Sequence, residues 1–248
     1  MLNKSELAYW TAGIFEVAGS AFYRKSAAGK KATIPHKYYP VFSVYDDSNR
    51  IKKLQTYLGG NIQSNKKDWR ATNAPALEIA EMISDIAPLR KIIAQSFLYW
   101  AELDTVEKYL YVSRLLATVS KQTEISKAEV AVKDYESLVT EPAFMAGVID
   151  ARGSFSEMSP GEKDAHVADE VSLNISTHNI ALLNAVKNVF NGSTPRRMTS
   201  EYGQGYQWAA SWANLRNLMA EVQPYMLLRD VEYYVKKLEK TKRNKPNN

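Results

Sequence analysis

Apolar residues recur along the chain with two alternating periods, and each change of period marks an element. Tyr9-Trp10-Thr11-Ala12-Gly13-Ile14-Phe15-Glu16-Val17-Ala18-Gly19-Ser20 is almost continuously apolar. It predicts a helix closed by Gly19, where a helix C-terminus takes positive φ. Phe22-Tyr23-Arg24 and Tyr39 to Tyr45 then alternate as half-buried strands do. Asn49 to Leu58 regains helical spacing and stops at glycine. A second strand pair is centred on Trp69 to Thr72. A helix begins near Ala76, and Pro88 breaks it before another starts.

The same order is then written again. Ala143-Phe144-Met145-Ala146-Gly147-Val148-Ile149-Asp150-Ala151-Arg152-Gly153-Ser154 repeats the opening block at an offset of 134 residues. Val189-Phe190-Asn191-Gly192 answers Tyr57-Leu58-Gly59-Gly60, Trp208-Ala209-Ala210 answers Trp69-Arg70-Ala71, and Val222-Gln223-Pro224-Tyr225 answers Ile86-Ala87-Pro88-Leu89. Strands are expected at Ser154 to Met158, Val171 to Ser176 and Gln207 to Trp212, and helices at Asn179 to Phe190 and from Ala213, the latter broken at Pro224. Each unit therefore reads as helix, two strands, helix, two strands, helix. Residues 89 to 128 form a mostly helical connection. The expected division is a first repeat with its helical extension at 1–120, a linker at 121–128, a second repeat at 129–240 and a basic tail at 241–248.

Composition narrows the chemistry. The 248 residues contain no cysteine, which removes disulfides, thiolate metal sites and cysteine nucleophiles, and the three histidines, His36, His166 and His178, are scattered. No apolar run reaches the roughly 18 residues of a membrane span, and the N-terminus lacks a secretory pattern. An intracellular protein without a membrane partner is expected. The net charge of +5 is uneven: residues 20 to 75 carry eleven Lys/Arg against three Asp/Glu, whereas residues 153 to 212 carry four against six. The surplus lies in residues 236 to 248, with six Lys/Arg and one acid. One-sided basic charge is the footprint of a phosphate-backbone contact.

The repeated helix resembles the LAGLIDADG motif of homing endonucleases and their related intron maturases, in the two-repeat, single-chain form. The resemblance covers nearly the whole chain. It implies an α+β fold of two pseudo-symmetric αββαββα repeats packed through their motif helices, with antiparallel sheets forming a DNA-binding saddle. Small residues at Ala12, Gly13, Ala146 and Gly147 permit close backbone approach and are the expected helix interface. Double-stranded DNA bound by a monomer is the expected partner, with intron RNA as the maturase alternative.

Active relatives place an acid at the eighth motif position, where two carboxylates hold a divalent ion, usually magnesium. Here that position is Ala18 in the first repeat and Arg152 in the second. No bound metal is therefore expected in this chain, and cleavage is expected to be lost or impaired. The acids two positions earlier, Glu16 and Asp150, are the only carboxylates nearby in the motif, and an endonuclease or nickase using them is the remaining catalytic alternative. Side chains two apart on a helix point about 200° from each other, so these two are expected to face the sheet or solvent. A cation at a helix C-terminus is favoured by ~0.3 to 1 kcal/mol, so Arg152 suits the space of a missing ion. Relatives also use a base after the helix-breaking proline. Arg229 fits, five residues after Pro224, while Ile93 holds that spacing after Pro88 and Lys91 is the nearest base.

Sequence reading in such a saddle falls to outward-facing strand residues. The candidates are Arg24, Lys25, Lys37, Gln63, Lys66, Lys67 and Arg70 in the first repeat. In the second they are Asn174, Ser176, His178, Arg196, Arg197 and Gln207. Arg and Lys suit guanine and phosphate; Asn and Gln suit adenine. Tighter phosphate contact is expected from the first half.

Overall fold

The computed structural model describes residues 1–46, 50–65, 67–118, 130–158, 170–200, 203–210 and 212–240. The linker expected at 121–128, the tail at 241–248 and Lys66 lie outside the described residues. The chain divides into two compact units, Leu7–Val130 and a unit uniting Met1–Glu6 with Ala131–Asn248.

Helix α1 (Lys4–Val17), which enters the first unit at Leu7, leads into β1 (Gly19–Ala27) and β2 (His36–Tyr45), then α2 (Arg50–Leu58), β3 (Asn61–Ile62), β4 (Asp68–Thr72) and α3 (Ala74–Ile83). Helices α4 (Lys91–Glu102) and α5 (Thr105–Thr118) follow. The strands form one antiparallel sheet in the order β1-β2-β4-β3. Strand alternation gives the sheet two faces. Ala21, Tyr23, Phe42, Val44, Trp69 and Ala71 are buried on the helix-bearing face. There Phe15 of α1 packs on Phe42 with ring centroids 4.8 Å apart, and Phe97 of α4 packs on Tyr23 at 4.9 Å.

The second unit repeats the plan. After a short helix α6 (Lys133–Glu136), α7 (Pro142–Arg152) leads into β5 (Gly153–Met158) and β6 (Glu170–Thr177). Then come α8 (Ile180–Phe190), β7 (Arg196–Ser200), β8 (Gly203–Ala209), α9 (Trp212–Val222), a 3-10 turn (Gln223–Tyr225) and α10 (Glu232–Lys240). The sheet order is β5-β6-β8-β7, the counterpart of the first. Leu173, Ile175 and Trp208 are fully buried on its helix-bearing face, and Phe155 stacks on Tyr234 of α10 at 4.8 Å. The alternating αββαββα order predicted for each repeat is present.

Both motif helices are buried over far more than one face: Trp10 to Val17 in α1 and Ala143 to Asp150 in α7. Ala12, Gly13, Ala146 and Gly147 all fall within these stretches.

The glycines that close the second helix of each repeat mark a further correspondence. Gly60 has φ 75° and Gly192 φ 92°, a region that L-residues seldom occupy. A Cβ on Gly60 would lie 2.6 Å from the Arg70 carbonyl oxygen, and one on Gly192 would lie 2.5 Å from that of Ala209. Nearby, Trp69 Nε1 donates to Gly59 O at 2.9 Å, and Trp208 Nε1 donates to Asn191 O at 2.8 Å. The repeated glycine and tryptophan thus belong to one local device in each unit.

Three expectations are corrected. Gly19 and Gly153 do not adopt positive φ; Gly153 is extended at φ −69° and ψ 142°. Glycine is required there for space, since a Cβ would fall 1.9 Å from the Phe15 ring or 2.6 Å from the Ile149 carbonyl oxygen. The prolines do not break their helices, because α3 ends at Ile83 and α9 at Val222. Pro88 lies in the following turn and Pro224 in the 3-10 turn, where a missing N–H interrupts no α-helical ladder. Strand β8 closes at Ala209, and Trp212, expected at its end, opens α9 instead.

Candidate nucleic-acid interface

Two features converge on function: the ends of the motif helices and the sheet faces turned away from the helices. At the first helix end, Ala18 follows α1 with its N–H donating to Ile14 O at 2.9 Å. At the second, Arg152 is the last residue of α7 and its side chain is exposed. A guanidinium there complements the negative end of the helix dipole.

Glu16 and Asp150 point neither to the sheet nor to solvent. Their residues are 1% and 0% exposed, and their carboxylates turn onto the loop that follows the third helix of their own repeat. Glu16 Oε1 accepts the Leu89 N–H at 2.9 Å. Asp150 accepts three backbone donors: Leu227 N at 2.7 Å and Leu228 N at 3.1 Å on Oδ2, and Arg229 N at 3.0 Å on Oδ1. The expected orientation failed because the geometry of α1 and α7 alone does not reveal a loop with unpaired N–H groups packed beside them.

That loop returns an arginine to each helix end. Arg90 Nε donates to Phe15 O at 3.0 Å, and its Nη2 donates to Gly19 O. Arg229 Nε donates to Asp150 O at 3.0 Å. These side chains satisfy carbonyls that a helix C-terminus leaves unpaired. Arg90, which the proline spacing passed over, is therefore the counterpart of Arg229. A sequence signal existed: both arginines follow leucine, as Leu89-Arg90 and Leu228-Arg229.

A divalent ion does not fit the donors at these helix ends. The eighth motif positions offer a methyl group and a guanidinium, and the acids two residues earlier are committed to buried backbone N–H groups.

The outer sheet faces differ between the units. On the first, the register places Arg24 beside Tyr39, Ser20 beside Ser43, and Arg70 beside Ser43 and Asn61. Lys37 pairs with Ser26 on the same face, and the Gln63 N–H continues the ladder to Asp68 O at 2.7 Å. Arg70 Nη2 donates to Asp68 in a close ion pair, so much of its charge is balanced within the sheet. Lys67 is exposed in the turn before β4. On the second unit, Ser154, Ser156, Ser172, Asn174, Ser176, Gln207 and Arg196 share the outer face. Ser156 and Ser172 lie with their hydroxyl oxygens 2.7 Å apart. His178 is exposed just beyond β6.

Two candidates lie on the other side. Lys25 follows Arg24 in β1 and so shares the helix-bearing face with Tyr23, while Arg197 pairs with Tyr206 on the face of Trp208. Arg197 is bonded there to Gln204. Adjacent strand residues cannot both face outward, so only Arg24 and Arg196 of these two pairs belong to the outer faces.

No family model matches the sequence, and no curated protein does. Among solved structures, the chain is similar to the LAGLIDADG homing endonuclease I-GzeII in complex with its DNA target, with a TM-score of 0.55 and 14% identity over 97% of this chain and 93% of that one. It is similar to the LAGLIDADG homing endonuclease I-LtrWI bound to target DNA, with a TM-score of 0.55 and 12% identity over 98% and 92%. The corresponding values for I-SmaMI bound to an uncleaved DNA target in the presence of calcium ions are 0.54, 14%, 96% and 90%. The chain has the fold of these two-repeat endonucleases. No helix among the described residues is long and apolar enough to cross a membrane.

Proposed function

We propose that this protein binds a long, asymmetric double-stranded DNA site as a monomer, through the outer faces of its two sheets, and that metal-dependent phosphodiester cleavage is lost or strongly impaired in it. The observation that carries the second part is the pair Ala18 and Arg152 at the motif-helix ends, with Glu16 and Asp150 withdrawn into the backbone. The fold shared with DNA-bound endonucleases supports the first part.

A divalent ion held by carboxylates supplies an activated water and charge neutralisation at a scissile phosphate. This chain supplies fixed cations instead. Arg152 offers positive charge at the end of α7, and Arg24 and Lys37 offer it on the first sheet. These groups favour phosphate contact without generating a nucleophile. The second sheet offers short hydroxyl and amide side chains that suit base edges better than phosphates.

Duplexes selected from a random library at low salt are expected to bind with affinity that falls steeply as salt rises. The winning duplex should survive magnesium with the natural chain and be cut by the double variant Ala18→Glu, Arg152→Glu. Intact binding without recovered cutting would remove these two positions as the decisive defect. Absence of binding to any duplex would remove the DNA reading.

A further inference from the structure

The outer face of the second sheet holds a row of three polar residues on adjacent strands. Ser176 of β6 lies opposite Gln207 of β8, and Gln207 lies opposite Arg196 of β7. Their hydrogen bonds run in one direction. Arg196 Nη2 donates to Gln207 Oε1 at 2.9 Å, Gln207 Nε2 donates to Ser176 Oγ at 3.5 Å, and the Ser176 hydroxyl points to Met198 Sδ at 4.0 Å. Both ends of the Gln207 amide are thereby engaged within the sheet. Arg196 is exposed, and only one of its guanidinium nitrogens is drawn into this row.

We propose that Arg196 is a guanine-reading residue for the half-site covered by residues 131–248, and that Gln207 is its positioning residue rather than a reader of adenine. This inference rests on the DNA-binding reading above. A guanidinium fork matches the O6 and N7 acceptors that guanine presents in the major groove. A long, exposed arginine loses rotamer freedom when it binds, and a side chain already held in place loses less. The glutamine holds it, and the serine in turn holds the glutamine amide.

The comparison with the first sheet supports a role specific to this unit. Trp69 and Trp208 occupy matching places, so Asp68 stands where Gln207 stands. Arg70, two residues along from Asp68 on the same face of the strand, is tied to that carboxylate. The first unit ties one of its outer-face arginines to an acid, whereas the second orients Arg196 with a neutral amide that leaves the charge in place. Arg196 is also the outer-face cation that the described part of the second sheet contributes, set among serines and asparagine.

The test is binding selection from a randomised duplex library, with the full chain and without divalent ions, followed by titration of single-base variants of the winner. The natural chain should require guanine at one position of one half-site. Arg196→Ala should lose that preference, by about 5- to 100-fold, and retain the preferences elsewhere. Gln207→Leu should weaken discrimination at the same position and at no other. Circular dichroism of both variants should match the natural chain.

A uniform loss of affinity across all sequences in Arg196→Ala, with a shallower salt dependence, overturns the proposal and makes Arg196 a phosphate contact. A changed preference at a different position in Gln207→Leu overturns the positioning role, because Gln207 then reads a base itself. If the natural chain selects no duplex at low salt, the DNA-binding reading falls and this inference falls with it. Selection with unchanged preferences in both variants overturns this inference alone.

Discussion

Arg229 donates to Asp150 twice, once from its backbone to the side chain and once from its side chain to the backbone. The Arg229 backbone N–H donates to the Asp150 carboxylate at 3.0 Å, and the Arg229 guanidinium Nε donates to the Asp150 carbonyl at 3.0 Å. The pair links the end of α7 to a loop 79 residues downstream, so each residue holds the other's backbone in place. With Leu227 and Leu228 also donating to it, the Asp150 carboxylate organises the whole turn.

Asp150→Asn should therefore destabilise the protein. An amide offers one acceptor oxygen where the carboxylate uses two, and buried N–H groups left unsatisfied cost about 1 to 3 kcal/mol. Urea denaturation should show a lower midpoint. An unchanged midpoint would mean that the loop finds other acceptors.

Removing the returning arginines separates their role from charge in general. Arg90→Ala and Arg229→Ala each strip charged donors from helix-end carbonyls, at about 1.5 to 3 kcal/mol for such bonds. Both should lower Tm. Lys67→Ala, in an exposed turn, should leave Tm within a degree or two. Equal shifts in all three would point to bulk charge instead of the helix-end bonds.

Gly153→Ala places its methyl 2.6 Å from a backbone oxygen that cannot swing aside. Overpacking of this kind costs about 1 to 3 kcal/mol, and a thermal melt should register it. Gly19→Ala meets the Phe15 ring, itself packed on Phe42, and should destabilise as well. A Gly153→Ala melt matching the natural chain would show that this helix end can shift.

Tyr23 should weaken the first unit at alkaline pH. Burial pushes its hydroxyl well above the ordinary value near 10, an effect partly opposed by its hydrogen bond to Ser96. The folded chain thus holds this proton more tightly than the unfolded chain. The associated stability is whole below pH 10 and declines as pH rises through the folded value. Between pH 10 and 11.5, the natural chain should lose stability faster than Tyr23→Phe. Parallel stability curves for the two would exclude Tyr23 as the source.

Much of this was legible in the sequence because the duplication supplied two readings of each element. The closing glycines Gly60 and Gly192 and the motif helices emerged from comparing one half with the other, and the strands at Phe22 and Phe155 from apolar alternation. Three things were hidden. Arg90 was missed because spacing was counted from the prolines, which sit at different places in the two turns, Pro88 five residues past α3 and Pro224 two past α9, while both arginines lie seven residues past their helix. Lys25 and Arg197 were placed on the outer faces because composition marks a basic strand but not its register. The hold of Glu16 on Leu89 joins residues 73 apart, a distance at which helical periodicity carries no information.

The burial of Glu16 and Asp150 has a consequence for how such a chain can change over generations. Within the motif helix of each repeat, the sixth letter answers to folding. A replacement at Glu16 or Asp150 is felt by every molecule as it folds, whether or not it ever meets a ligand.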